Sequence, residues 1–219
     1  MPRKSRIVLP NVAHHVTQRG NYQLAVFDNE EDYTRYCFWY NKYSEKYKVK
    51  TYAFCLMNNH VHFIVEPETE QGLAKLFNTL HMRYSQYINN LRNVKGHLWQ
   101  GRFYSCILDE KHLYNAIRYV ERNPIRIGVV KNAWDYKWSS AKFHVKESKS
   151  PILIQESFKM NETEWKKYVQ KLDINIENEI RLKTKRGLVV GTENFIKQIE
   201  NKIKRSLKCL NQGRPYKVE

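Results

Sequence analysis

The chain has 219 residues and 42% hydrophobic content, including 15 Tyr, 9 Phe and 5 Trp, enough for one full domain plus an extension. With 38 Lys and Arg against 22 Asp and Glu it carries a formal charge of +16. Its four cysteines lack paired spacing, no secretory signal is read, and no apolar run reaches membrane-spanning length, so a disulfide scaffold, a zinc finger and a membrane protein are excluded and a cytoplasmic location is expected.

Both halves are basic: residues 1–150 hold 23 Lys/Arg against 13 Asp/Glu, and residues 151–219 hold 15 against 9. Basic surface interleaved with aromatics is the footprint of a nucleic-acid binder. A ribosome- or membrane-adjacent protein made basic for other reasons is the competing reading.

Val12 to Arg19 (VAHHVTQR) reads as a strand broken by Gly20-Asn21, with His14 and His15 on opposite faces. One of them reaches a neighbouring strand's face if the strands pair, but a packed or solvated histidine is the favoured reading. Asp28-Asn29 then opens a helix to about Lys48, with Glu30, Glu31 and Asp32 suited to its positive end. The stripe Tyr36, Tyr40, Tyr43 and Tyr47 predicts core.

Phe54 to Glu66 (FCLMNNHVHFIVE) predicts a tight hairpin: Val49–Met57, a turn at Asn58-Asn59, and a strand Val61–Val65. Asn accepts the positive φ that a two-residue turn requires. His60 and His62 project from one face, and Val61, Phe63 and Val65 from the other. Histidine is the commonest protein metal ligand, yet the pair alone reads more readily as a half-exposed strand face.

Glu70 to about Asn93 predicts a second helix, with Leu73, Leu76, Phe77, Leu80, Tyr84 and Ile88 on one side. The following loop carries Lys95, His97, Trp99 and Gln100, and Arg102 opens a strand reaching Leu108. Cations for phosphates and Trp99 for base stacking suit a single strand; a polar loop over a buried Trp fits equally. Asp109 to Arg122 predicts a third helix, its stripe being Leu113, Ala116, Ile117 and Val120. Tyr119 and Asn123 stack at its edge before Pro124, which is expected to end it. By spacing alone they read as a rim tyrosine and a helix-terminal Asn. Two Trp side chains, Trp134 and Trp138, close this part. After the polar break KESKSP, Asn161 to Leu172 and a segment capped by Thr192 read as helices, and Arg181 to Glu219 carries 11 basic and 3 acidic residues.

Four segments in order, HHVTQRGN, FCLMNNHVHFIV, KGHLWQGRFYS and RYVERNPIRIGVV, resemble the single-tyrosine HUH transposases, most of all the REP-associated tyrosine transposases. The resemblance spans about residues 8–145. It implies an α+β fold, a ferredoxin-like antiparallel sheet with helices packed on it, in residues 1–145. Residues 146–219 are then a basic, mainly helical DNA-binding extension with a flexible tail. By the same resemblance His60 and His62 match the metal ligands, Tyr119 the nucleophile, and Asn123 the third ligand, with Mg²⁺ or Mn²⁺ as cofactor. The implied substrate is single-stranded DNA with hairpins, cleaved through a 5′-phosphotyrosine link with release of a 3′-OH. Contacts to DNA are expected from Arg19, Lys95, His97, Trp99, Gln100, Arg102, Arg122, Arg126, Arg186 and Arg214. Gly213-Arg214-Pro215 also resembles the core of an AT-hook, with Gln212 where an arginine would precede it. One tyrosine acting twice favours a homodimer in a mobile element, while a domesticated enzyme could act as a monomer. A catalytically silent DNA- or RNA-binding regulator on the same fold is the alternative.

Overall fold

The structure is a computed structural model that describes residues 6–145, 149–155 and 160–207. In chain order its strands and helices are β1 (His14–Arg19), α1 (Glu30–Lys46), β2 (Val49–Met57), β3 (His60–Pro67), α2 (Gly72–Leu91), β4 (Tyr104–Leu108), α3 (Glu110–Glu121), α4 (Asn123–Arg126), α5 (Ala141–His144), α6 (Glu162–Gln170), α7 (Ile174–Arg186), β5 (Val189–Val190) and α8 (Glu193–Ile203). The sheet order is β2-β3-β1-β4-β5. The first four strands pair antiparallel, giving the expected βαββαβ frame, and β5 joins β4 in parallel.

Alternation sorts the strand residues between two cores. Val16, Phe54, Leu56, Val61, Phe63 and Val65 face α1 and α2, where Tyr36, Tyr40, Tyr43, Leu76, Phe77 and Tyr84 meet them. Tyr40 stacks on Phe63 with centroids 4.4 Å apart. Full burial of a large apolar side chain contributes about 1.5–3 kcal/mol, so this aromatic layer anchors the sheet. The Asn29 side chain accepts from Asp32 N and closes a capping box that fixes the start of α1.

The other face carries Ala53, Cys55, Met57, Ile64 and Cys106 against α3. Trp165 of α6, Val169 of α6, Ile180 of α7 and Val190 of β5 belong to the same core. The polar break at 146–151 therefore does not divide the packing where the sequence reading placed its boundary. Composition marks that break, but the apolar side chains beyond it fold back onto α3. Residues 146–148 and the tail 208–219, with Arg214, lie outside the described residues.

Pro124 does not simply end a helix. Arg122 closes α3, and Pro124 sits in the first turn of the short α4, where its missing N–H costs nothing.

Candidate active site

Cross-strand register builds the site. Thr17 lies opposite His62 and Arg19 opposite His60 on the β1/β3 ladder, and His15 lies opposite Cys106 on β1/β4. Residues of one strand at i, i+2 share a face, so His15, Thr17, Arg19, His60 and His62 all face α3. Gly20 lets β1 turn beside the hairpin. A Cβ there would sit 2.3 Å from the Leu24 carbonyl oxygen, and Gly20 N donates to Asn59 O at 2.8 Å.

The His60 and His62 rings meet edge to face at 5.0 Å, and Tyr119 of α3 stands edge-on to His62 at 5.8 Å and to His15 at 5.5 Å. The Arg126 guanidinium lies 5.1 Å from the centre of the Tyr119 ring. These side chains line a cleft of about 680 Å³, with Gln100 and Tyr104 on one side and Asn178, Arg181 and Lys185 of α7 on the other.

Hydrogen bonds fix which nitrogen each histidine offers. Asn59 Nδ2 donates to Gln23 O at 3.0 Å, so its Oδ1 accepts, at 2.6 Å, from His60 Nδ1–H. That leaves His60 Nε2 with a lone pair, buried and without a partner. A buried polar atom left unpaired costs about 1–3 kcal/mol, a cost a metal-binding site tolerates for its ligand. Asn123 Nδ2 donates to the Tyr119 and Val120 carbonyls at 3.0 Å each, so Oδ1 is the free acceptor of the amide and takes a bond from Arg126 Nη2. Burial pulls His60 down to about 3, with Arg19 and Arg126 adding to it and the Asn123 amide opposing. Burial also holds His62 well below its usual value, helped by His60 and His15. Both imidazoles are therefore neutral near pH 7 and able to ligate. Among the described residues no group of three or more His, Cys, Asp or Glu is arranged to hold a metal ion. His60, His62 and Asn123 offer two imidazoles and one amide oxygen, donors without negative charge.

Of the residues expected to touch DNA, Arg19, Gln100 and Arg126 line this cleft. His97 and Arg102 line an adjoining groove with Gln100, beside exposed Lys95. Two of the expected residues are buried, although Trp99 borders the adjoining groove. Trp99 is only 7% exposed, its ring 4.4 Å from His81 and its Nε1 bonded to His81 O, so it is core and no stacking platform. Arg122 is buried too, paired with Glu177 at 3.0 Å and bonded to the Val169 and Gln170 carbonyls. Arg186 lies half-buried at the end of α7.

Tyr104, which is 44% exposed, and Arg181 and Lys185 also line the cleft, none of them among the DNA contacts expected from the sequence. Among the other tyrosines of this region, Tyr114 packs toward Trp165, away from the histidines. Tyr104 pairs with Thr17 and so shares the face that carries the histidines.

Residues 9–123, just over half the chain, match the family described as IS200-like transposases, and the chain belongs to that family. The chain is also similar to REP-associated tyrosine transposases. A Haemophilus influenzae protein assigned as a REP-associated tyrosine transposase is 27% identical over 116 residues, which are 48% of this chain and 65% of that protein. The present chain thus spans a little under two thirds of that relative. A solved REP-associated tyrosine transposase bound to a REP hairpin shares the fold, with a TM-score of 0.53 at 16% identity, covering 74% of this chain and 97% of that one. A Deinococcus radiodurans protein assigned as a transposase aligns with a TM-score of 0.38 at 16% identity over 55% of this chain and 97% of its own. Among the described residues no helix is long and apolar enough to cross a membrane.

Proposed function

We propose that this protein is a metal-dependent single-strand DNA endonuclease and strand transferase that acts beside hairpins through Tyr119. The observation that carries the reading is one arrangement: a tyrosine edge-on to His62, within a cleft lined by Arg19, Arg126, Arg181 and Lys185. His60 Nε2, His62 Nε2 and Asn123 Oδ1 would hold a divalent ion and leave room for a phosphate oxygen on it. Mg²⁺ or Mn²⁺ bound there supplies Lewis-acid polarisation of the scissile phosphate.

The chain's own groups do the rest. Arg126 and Arg19 pair with phosphate oxygens, and Tyr104 offers an exposed ring on which a base stacks. The Tyr119 oxygen bonds to phosphorus and loses its proton to solvent. The P–O3′ bond breaks, and the 3′ oxygen leaves as a hydroxyl after taking up a proton. The phosphotyrosine ester conserves the bond, so a 3′-OH can attack it, free Tyr119 and rejoin the strand without ATP.

A labelled single-stranded hairpin oligonucleotide incubated with protein and Mn²⁺ should give a denaturation-resistant adduct. Tyr119→Phe, which removes one hydroxyl, should lose the adduct and keep non-covalent binding. His62→Ala should lose metal-dependent cleavage. An adduct from Tyr119→Phe would move the nucleophile elsewhere, and no adduct from wild type on hairpins of its own genome would favour a silent DNA-binding regulator.

A further inference from the structure

We infer that helix α7, which lies beyond the matched family region, is a working part of the metal site: Thr184, acting through His15, locks His62 in the tautomer that offers Nε2. The inference rests on the proposed ligand role of His62. It begins with a group that can only accept. The Ile180 carbonyl oxygen lies 2.7 Å from Thr184 Oγ1, so the hydroxyl hydrogen must lie between them. The Thr184 lone pairs then face His15 Nδ1 at 2.7 Å and Cys106 Sγ at 3.0 Å. His15 must therefore carry its proton on Nδ1, and its Nε2 is left as an acceptor. That Nε2 lies 2.9 Å from His62 Nδ1, which must donate. His62 Nε2 thus keeps its lone pair for a ligand.

The two imidazoles lie nearly coplanar, their planes 7° apart and their centres 5.1 Å apart, so the ring plane of His62 is fixed as well as its tautomer. Every member of the chain is buried. His60 is set independently by Asn59. The two ligands therefore reach the same tautomer by separate routes, one from the hairpin turn and one from the C-terminal region. Partners of this kind orient a ligand without touching the ion, and their loss costs about 10–100-fold in metal affinity. His15 and Thr184 are positioning residues.

Without the hydroxyl, His15 Nδ1 has no acceptor, and both His15 tautomers become accessible. His62 then divides between a ligating and a non-ligating form. Thr184→Val keeps the branched shape and removes the oxygen; Thr184→Ser keeps the oxygen. The ¹⁵N imidazole shifts of His62 in the metal-free protein read the tautomer directly. Wild type and Thr184→Ser should show a single Nδ1–H form, and Thr184→Val a mixture. Mn²⁺ affinity, followed by titration calorimetry or electron paramagnetic resonance, should fall about 10–100-fold in Thr184→Val and recover in Thr184→Ser. An Nε2–H form in wild type, or an unshifted tautomer in a folded Thr184→Val, would overturn the inference. The tautomer is read without metal or DNA, so it decides this point even where cleavage or metal binding fails.

Discussion

Trp99 and Tyr104 exchange the roles that composition gives them. Both stand in the aromatic-rich run around KGHLWQGRFYS, and the bulkier indole attracts the base-stacking assignment. The indole instead fills the space between His81 and Tyr84, while the phenol of Tyr104 opens into the cleft. Trp99→Ala should lower stability by about 3–5 kcal/mol in urea unfolding. Tyr104→Ala, at a 44% exposed position, should leave stability nearly unchanged and weaken single-strand binding by about 1–3 kcal/mol in fluorescence anisotropy. Equal binding loss from both variants with no change in stability would reverse this assignment. His60, His62, Tyr119 and Asn123 were readable as candidates because the resemblance to the family fixes their spacing. His15 was not, because its role depends on which strand lies beside β1, and no residue of β1 states its neighbour.

At the scale of elements, legibility follows periodicity. The hairpin and helices α1, α2 and α3 fall within a few residues of their expected bounds because each carries a strong apolar pattern. Helix α7 escaped. Its buried side presents Glu177, Ile180 and Thr184, a single aliphatic residue among two polar ones, so no apolar stripe marks it. Its caps were the readable signal: Asp173 accepts from Ile176 N at one end, and Gly187 adopts φ 64° at the other. Besides Ile180, what docks α7 is polar. Arg122 of α3 reaches Glu177 and the last carbonyls of α6, tying three helices together. Arg122→Ala leaves a buried carboxylate unpaired and should cost about 3–5 kcal/mol in urea unfolding. Arg122→Met combined with Glu177→Leu should recover most of that loss. If Arg122→Ala instead weakens DNA binding at unchanged stability, the residue belongs to the nucleic-acid surface after all.

For the whole molecule, net charge shows the kind of partner but not where it sits. From Arg181 to Glu219 the chain carries 11 basic and 3 acidic residues, and the sequence suggests a detachable DNA-binding extension. Packing makes it less separable. Thr184 contacts the catalytic face and β5 extends the sheet, so removing everything after residue 180 would damage the site along with any DNA surface. Charge substitution tests the surface cleanly. Arg181 and Lys185, both exposed, stand one turn apart on the side of α7 that lines the cleft. Each phosphate contact on a single strand contributes about 0.7 to the slope of log affinity against log salt. Replacing both, as Arg181→Gln with Lys185→Gln, should lower that slope by about 1.4 when anisotropy is measured on a hairpin with a single-stranded flank. Surface substitutions of this kind change stability by about 0.5 kcal/mol or less, so the thermal midpoint should hold. An unchanged slope would mean that the strand leaves the cleft on the Gln100 and Tyr104 side, and that α7 serves the metal site without touching DNA.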